Sequence, residues 1–335
     1  MYISNMSLEN SLKHLNKMVR KSLHLWDIPD GASVRLLNIS ENLTYMVESQ
    51  NGFAAILRVH RENYHTKREI ECELKWLKAL DSEKNINVPK VYEGINGELI
   101  QEGIIEDLAS TRDMVLFKYI KGEILDESDN LGGKFRELGI IAAHCHNHVS
   151  RWIKPEDFQR KTWDANTIFG TDPIWGDWRL APEVTPDVAK VLQYVEEKIC
   201  ERLEAFGKDS ARFNLIHADM RLANILNGEK HLHLIDFDDC GWGWFLYDFA
   251  TAVSFIEDDP RISKLKEEWV RGYRGVRELS SDDEMEIDTF VMLRRMALLA
   301  WIGSHFEAPE PQKLASGFAA VTARLGITYI QKIHD

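Results

Sequence analysis

Between residues 32 and 59, apolar and polar positions alternate in three short runs, ASVRLLNI, LTYMVES and FAAILRV, separated by SEN and by a turn containing Asn51-Gly52. The pattern predicts an antiparallel meander. In KREIECELKWLKAL (67–80), Ile70, Leu74, Leu77 and Leu80 fall on one helical stripe with charges opposite, and RDMVLFKYIKG (112–122) returns as a strand ending in Gly122. Beyond that glycine the period becomes helical over 131–149, 187–206, 261–274, 283–303 and 311–332, interrupted by two apolar strands, FNLIH and LHLIDF. Residues 150–186 carry Trp152, Trp163, Trp175 and Trp178 among Pro, Gly and Asp and read as an insertion of packed short turns. Residues 1–26 have leucines at helical spacing but no apolar core followed by a cleavage site, so they read as an amphipathic first helix. The expected architecture is α+β, with a sheet-rich N-terminal lobe and a mostly helical C-terminal lobe.

Length and charge narrow the picture. A chain of 335 residues, 44% hydrophobic, can bury one large or two medium cores. Its 41 basic and 54 acidic residues leave a net charge of −13, which repels nucleic-acid backbones and anionic membranes and attracts a cationic small molecule. Cys72, Cys145, Cys200 and Cys240 are scattered singly, which suits a reducing cytoplasm. No apolar run approaches the roughly 18 residues that would span a bilayer.

The chemistry concentrates around the two late strands. NLIHADMRLAN (214–224) ends an apolar run in His217, Asp219 and Asn224, and LHLIDFDD brings Asp236 to the end of the next strand. The interval between Asn224 and Asp236 is long enough for a strand, the turn NGEKH and a returning strand, so their side chains can converge at one loop mouth. A carboxamide and a carboxylate with room for phosphate oxygens and water suit Mg²⁺. Asp219 then faces a hydroxyl nucleophile. This is the phosphoryl-transfer arrangement, an acid orienting the attacking hydroxyl and two oxygen ligands holding metal. His217 is expected to brace the loop through carbonyls or Asp236 rather than move a proton. Asp238 is either a third metal contact or a carboxylate that orients substrate, and Asp248 is expected to cap a helix or brace the loop. AHCHNHV places His144 and His148 four apart, but no third ligand accompanies them, so the pair is read as packing.

HADMRLAN followed by LIDFDD resembles the catalytic and metal loops of the aminoglycoside phosphotransferase and choline kinase family, whose fold is that of protein kinases. The resemblance implies a two-lobed protein-kinase-like fold, with residues 1–117 as the nucleotide-binding lobe and 118–335 as the catalytic and substrate lobe. It implies ATP and Mg²⁺ as cofactors, with Asp219 as base and Asn224 and Asp236 as metal ligands. Arg58 in AAILRV stands where the family has its phosphate-binding cation, usually lysine, and Glu73 or Glu69 is its partner. In place of a glycine-rich loop, NISENLTY offers Ser40, Asn42 and Thr44 to the phosphates. Adenine is expected between Ile56 and the pair Leu226 and Ile235, with its edge on backbone at Phe117, Lys118 and Tyr119. Trp301 and His305 stand on a helix that in the family walls the acceptor pocket, Trp301 reading more readily as core packing, with Asp238, Asp239 and Glu307 at the pocket's mouth. Asp-Phe-Asp replaces the Asp-Phe-Gly of protein kinases, and no Ala-Pro-Glu segment follows. LRVHR, ELKWLKAL and FDDCGWGWFLYDFAT are most similar to members near type II homoserine kinases and the stress-response Ser/Thr kinase. The expected reaction is transfer of the ATP γ-phosphate to a hydroxyl of a small, amine-bearing molecule such as an amino alcohol, a homoserine-like or an aminoglycoside-like compound. The alternatives are a protein Ser/Thr kinase of the stress-response type and a catalytically silent nucleotide-binding module.

Overall fold

The structure, a computed structural model, describes residues 6–40, 42–83 and 85–334 and divides into two compact units. The first comprises Met1–Ser82, Val88–Lys121 and Asp157–Gln159; the second comprises Glu83–Asn87, Gly122–Glu156 and Arg160–Asp335. Among the described residues, no helix is long and apolar enough to cross a membrane.

The first unit opens with α1 (Leu8–Ser22), capped by the Ser7 hydroxyl accepting from the Asn10 amide. Strands β1 (Ser33–Ile39), β2 (Leu43–Glu48) and β3 (Ala54–Val59) form the expected meander, followed by α2 (Lys67–Asp81). A strand that the sequence pattern does not predict, β4 (Gln101–Ile105), precedes β5 (Ser110–Lys118), and the antiparallel order is β1-β2-β3-β5-β4. Its inward positions are Gln101, Gly103 and Ile105, so the buried face carries too little apolar signal to show alternation. Gly103 has a reason to lack a side chain, because a Cβ there would lie 2.8 Å from the Met18 sulfur of α1. Leu15, Met18 and Val19 of α1 share one core with Tyr45, Val47, Leu57, Met114 and Leu116 of the sheet. Each such fully buried side chain contributes about 1.5–3 kcal/mol. The expected lobe boundary at 117/118 falls inside β5.

In the second unit β6 (Glu123–Ile124) precedes α3 (Leu131–Arg151), the Trp-rich segment with β7 (Thr162–Trp163) and α4 (Ala165–Phe169), and α5 (Pro186–Phe206). Then come β8 (Phe213–Ile216), β9 (Ile225–Asn227), β10 (Leu232–Leu234) and β11 (Gly241–Trp244), which form two small sheets, β10-β9-β6 and β7-β11-β8. Helices α6 (Tyr247–Ala252), α7 (Ile262–Arg274), α8 (Ser281–Met285), α9 (Ile287–Ser304), α10 (Pro309–Leu314) and α11 (Phe318–His334) complete it. Gly139 of α3 and Gly272 of α7 let those helices touch, since a Cβ on either would run into a backbone carbonyl of the other helix.

Two expected helices are each divided. The run 283–303 breaks at Glu286, whose carboxylate accepts from Arg202 and, at 2.9 Å, from the Thr289 hydroxyl. The run 311–332 breaks before Gly317, where φ is +74° and the amide donates to the Glu183 carboxylate at 2.7 Å. Periodicity persists across both breaks because the pieces bury faces of the same kind.

Candidate active site

In the first unit, β3 and α2 bring together Arg58 and Glu73, both buried. Nη2 of Arg58 donates to both carboxylate oxygens at 2.8 and 2.6 Å, and its guanidinium carbon lies 5.0 Å from the centre of the Phe117 ring. Glu69 has different work, closing a capping box on Thr66 by accepting from its amide at 2.7 Å and its hydroxyl at 3.0 Å. Ser40 and Thr44 are half-buried at the β1–β2 turn, whereas Asn42 is buried and its carboxamide oxygen accepts from the Arg61 amide at 3.1 Å. Ile56 pairs with Phe117 in the sheet and is half-buried. Lys118 and Tyr119 are exposed, and the Lys118 amide already donates to the Lys90 carbonyl at 2.7 Å, so it is not open to a ligand.

The second unit builds a loop on the end of β8. Ala218 has φ +64°, an unfavourable conformation for a residue with a side chain, and the fold over-determines it. Asp248 of α6, wholly buried, accepts from the amides of His217 at 3.2 Å and Ala218 at 2.8 Å. Thr251, one turn later, takes the Met220 amide at 2.9 Å. The second strut is His217, whose Nδ1 accepts from the Asp219 amide at 3.2 Å. That bond leaves the ring proton on Nε2, which donates to the Ile235 carbonyl at 3.1 Å. Burial holds the His217 pKa down, in keeping with this neutral ring.

Asp219 is thereby aimed. Its Oδ1 accepts from Nη2 of Arg294 at 2.6 Å, and its Oδ2 from Nδ2 of Asn224 at 2.7 Å. Asn224 Nδ2 also donates to the Asp219 carbonyl at 2.9 Å, an orientation that turns the carboxamide oxygen away from this pair. The Ile235 amide donates to the Asn224 carbonyl at 3.0 Å, so the β9–β10 hairpin sets Asp236 beside Asn224 in the backbone, at φ +59° and exposed. These are two hard oxygen donors of the kind a small divalent cation takes. Leu226 and Ile235 are half-buried on the same hairpin.

Four supporting residues were not singled out from sequence. Arg294 of α9 is fully buried, donates from Nε to Ser254 at 3.0 Å and lies 5.1 Å from the centre of the Trp175 ring. Burial alone would lower its pKa, but the facing Tyr247, Asp219 and Asp239 outweigh burial and raise it, so its charge is permanent. His146 of α3 donates from Nε2 to Asp248 at 2.9 Å, accepts at Nδ1 from the Tyr273 hydroxyl at 2.8 Å and stacks on Phe245. Burial lowers the His146 pKa and raises that of Tyr273, which keeps the chain of protons fixed. Arg160 and Trp163, from the Trp-rich segment, clasp the loop after Asp236. Nε of Arg160 donates to the Cys240 carbonyl at 2.6 Å and Nη2 to that of Asp238, while the Trp163 indole donates to the Asp239 carbonyl at 2.7 Å. Only the doublet Arg294-Arg295 in an apolar helix offered a signal, since a buried arginine needs an acid to face.

Asp238 is buried and Asp239 half-buried on that clasped loop. Trp301 and His305 stack, 5.7 Å apart, at the end of α9, Trp301 also packs on Phe255, and Glu307 is exposed beyond them. The histidines of AHCHNHV go to separate partners, His148 to Glu83 at 2.9 Å and His146 to the loop brace.

An aimed carboxylate beside an asparagine, with a further aspartate at the next strand end, is an arrangement that suits a kinase acting on hydroxyl groups. The chain belongs to the phosphotransferase enzyme family, which it matches over residues 34–280, and its fold is protein-kinase-like. It is similar to the solved microcompartment-associated aminopropanol kinase, at 41% identity and a TM-score of 0.87 over 94% of this chain and 97% of that one. Amicoumacin kinase of Bacillus subtilis (strain 168) is 23% identical over 299 residues, 85% of each chain. The fold is shared too with a solved amicoumacin kinase in complex with AMP-PNP, Ca²⁺ and Ami, at 18% identity and a TM-score of 0.76 over 95% of this chain and 96% of that one. The protein is therefore a small-molecule kinase.

Proposed function

We propose that the protein transfers the γ-phosphate of ATP, with Mg²⁺, to the hydroxyl of a small amino alcohol. The observation that carries the reading is Asp219, whose carboxylate is held by Arg294 and Asn224 and whose amide is held by His217, so that it meets an incoming hydroxyl in one fixed orientation. In this reading Asp219 takes the hydroxyl proton as the oxygen attacks the γ-phosphorus. The Asn224 carboxamide oxygen and Asp236 hold Mg²⁺, which when bound neutralises phosphate charge. Arg58, fixed by Glu73, meets the phosphates with Ser40 and Thr44 of the β1–β2 turn. In the first unit Ile56 and the backbone of Phe117 and Tyr119 receive the adenine. The first unit then serves nucleotide binding and the second acceptor chemistry, in a cytoplasmic enzyme.

An amine on the acceptor is favoured by the net charge of −13 and by the likeness to an aminopropanol kinase. The test is ADP release with Mg·ATP across amino alcohols, homoserine, choline, sugars and aminoglycosides. Turnover should be highest with an amino alcohol and should disappear without Mg²⁺. Selective turnover of a neutral sugar would overturn the amine assignment.

A further inference from the structure

Next to Asp219, the side chain of Arg221 links two carboxylates. Its Nε lies 3.5 Å from Asp219 Oδ2, and its Nη1 donates to Glu310 Oε1 of α10 at 2.8 Å. The two acids are 14% and 35% exposed and the arginine 18%, so the bridge is shielded yet reachable. Two nitrogens of one guanidinium lie about 2.3 Å apart, as its planar bond lengths require. A hydroxyl and an ammonium on adjacent carbons lie about 3 Å apart when gauche. One more carbon between them allows about 5 Å. The guanidinium therefore has nearly the span of a vicinal amino alcohol, with Nε where the hydroxyl meets Asp219 and Nη1 where the ammonium meets Glu310.

We infer that Glu310 is the ammonium anchor of the acceptor and that Arg221 is its internal competitor, leaving Glu310 when a vicinal amino alcohol enters. The inference rests on the proposed amino alcohol kinase activity. A carboxylate already paired with a cation costs little to pair with another, whereas a neutral diol would release Arg221 and put nothing charged in its place. The competition thus selects against acceptors that lack the amine. Phe255 and Trp301, 6.1 Å apart, offer an apolar wall near the bridge, with the Arg221 guanidinium 6.0 Å from the Phe255 ring. Phe255 holds φ +73°, a conformation that a bulky residue adopts only under constraint. A short alkyl substituent on the acceptor fits such a wall.

The two residues move acceptor binding in opposite directions, a signature that a merely structural role would not give. Wild type, Glu310→Gln and Arg221→Met should be compared with 1-amino-2-propanol, 3-amino-1-propanol and 1,2-propanediol, measuring kcat and KM with Mg·ATP saturating and acceptor Kd by calorimetry. Glu310→Gln should raise the KM for 1-amino-2-propanol about tenfold to a hundredfold, as loss of a charge-assisted hydrogen bond does, and so narrow its advantage over the diol. Arg221→Met should tighten the Kd for 1-amino-2-propanol several-fold, whatever happens to kcat. Wild type should prefer the vicinal isomer to 3-amino-1-propanol. Turnover of 1-amino-2-propanol with an unaltered KM in Glu310→Gln, or weaker binding in Arg221→Met, overturns the inference and leaves the kinase reading standing. No turnover of either amino alcohol overturns both.

Discussion

In the first unit one strand residue, Arg58, meets one helix residue, Glu73, across a link of fifteen positions. In the second unit Asp219 is held by His217 and Asn224 of its own loop and by Arg294 of α9, while Asp248 of α6, backed by His146 of α3, holds the two amides before it. A pair that only has to present a cation needs burial and one opposite charge. A carboxylate that has to face a reacting hydroxyl needs its rotamer and its backbone fixed as well. Damage to the first unit should therefore appear in nucleotide binding, and damage to the second in the chemical step.

The largest break in that comparison is Asp219→Asn, which should lower kcat by roughly 10² to 10⁴ with nucleotide affinity nearly unchanged. Steady-state rates beside a Mg·ATP titration check it; comparable turnover would remove Asp219 as the base. Arg294→Met should reproduce the same profile more weakly, with kcat about tenfold to a hundredfold lower, because one charge-assisted bond to Asp219 is lost. Arg58 is expected to show the opposite profile. Arg58→Ala should raise the KM for ATP, and Arg58→Lys should recover little of it, since Nη2 is taken up by both Glu73 oxygens and a lysine's single nitrogen would have to serve Glu73 and the phosphates at once. Full recovery by lysine would show that charge alone suffices.

Acid should loosen the second unit first. Burial lowers the pKa values of His146 and His217 from the usual 6.5, so below that pH the unfolded chain binds protons that the fold refuses. Stability is thus whole above about pH 6.5 and falls as pH drops through it, by at most about 1.4 kcal/mol per pH unit for each ring. Urea midpoints from pH 7.5 to 5.5 should show the slope, and His146→Phe should flatten it; an equal slope in the variant would rule His146 out. The smallest effect belongs to Thr66→Ala, which opens the α2 capping box and should cost about 1 kcal/mol in urea while leaving the KM for ATP near wild type. A large rise in that KM would mean that Glu69, and not only Glu73, positions Arg58.

The sequence made the two ends of this comparison unequally legible. Arg58, Glu73, Asp219, Asn224 and Asp236 stand in order along elements whose periods are plain, and the β9–β10 hairpin bonds Ile235, the residue before Asp236, to Asn224 in the backbone. Asp248 also braces the loop as expected. The choice between Glu73 and Glu69 required the structure, because both lie one turn apart on α2 and only capping geometry separates them. Arg294, His146, Arg160 and Trp163 were hidden for another reason. Each meets its loop partner across a long stretch of chain, and nothing local in a buried helix or a Trp-rich segment tells which backbone group a side chain will find. Strand β4 was missed because its inward face carries Gln101 and Gly103.

In the proposed reaction the fixed carboxylate of Asp219 directs phosphoryl transfer to the hydroxyl of an amino alcohol. Phosphorus NMR of the reaction of wild type with Mg·ATP and 1-amino-2-propanol tests it most directly. One phosphate monoester should form for each ADP, its signal split by the proton on the carbinol carbon. A phosphoramidate, or ADP accompanied only by inorganic phosphate, would contradict it.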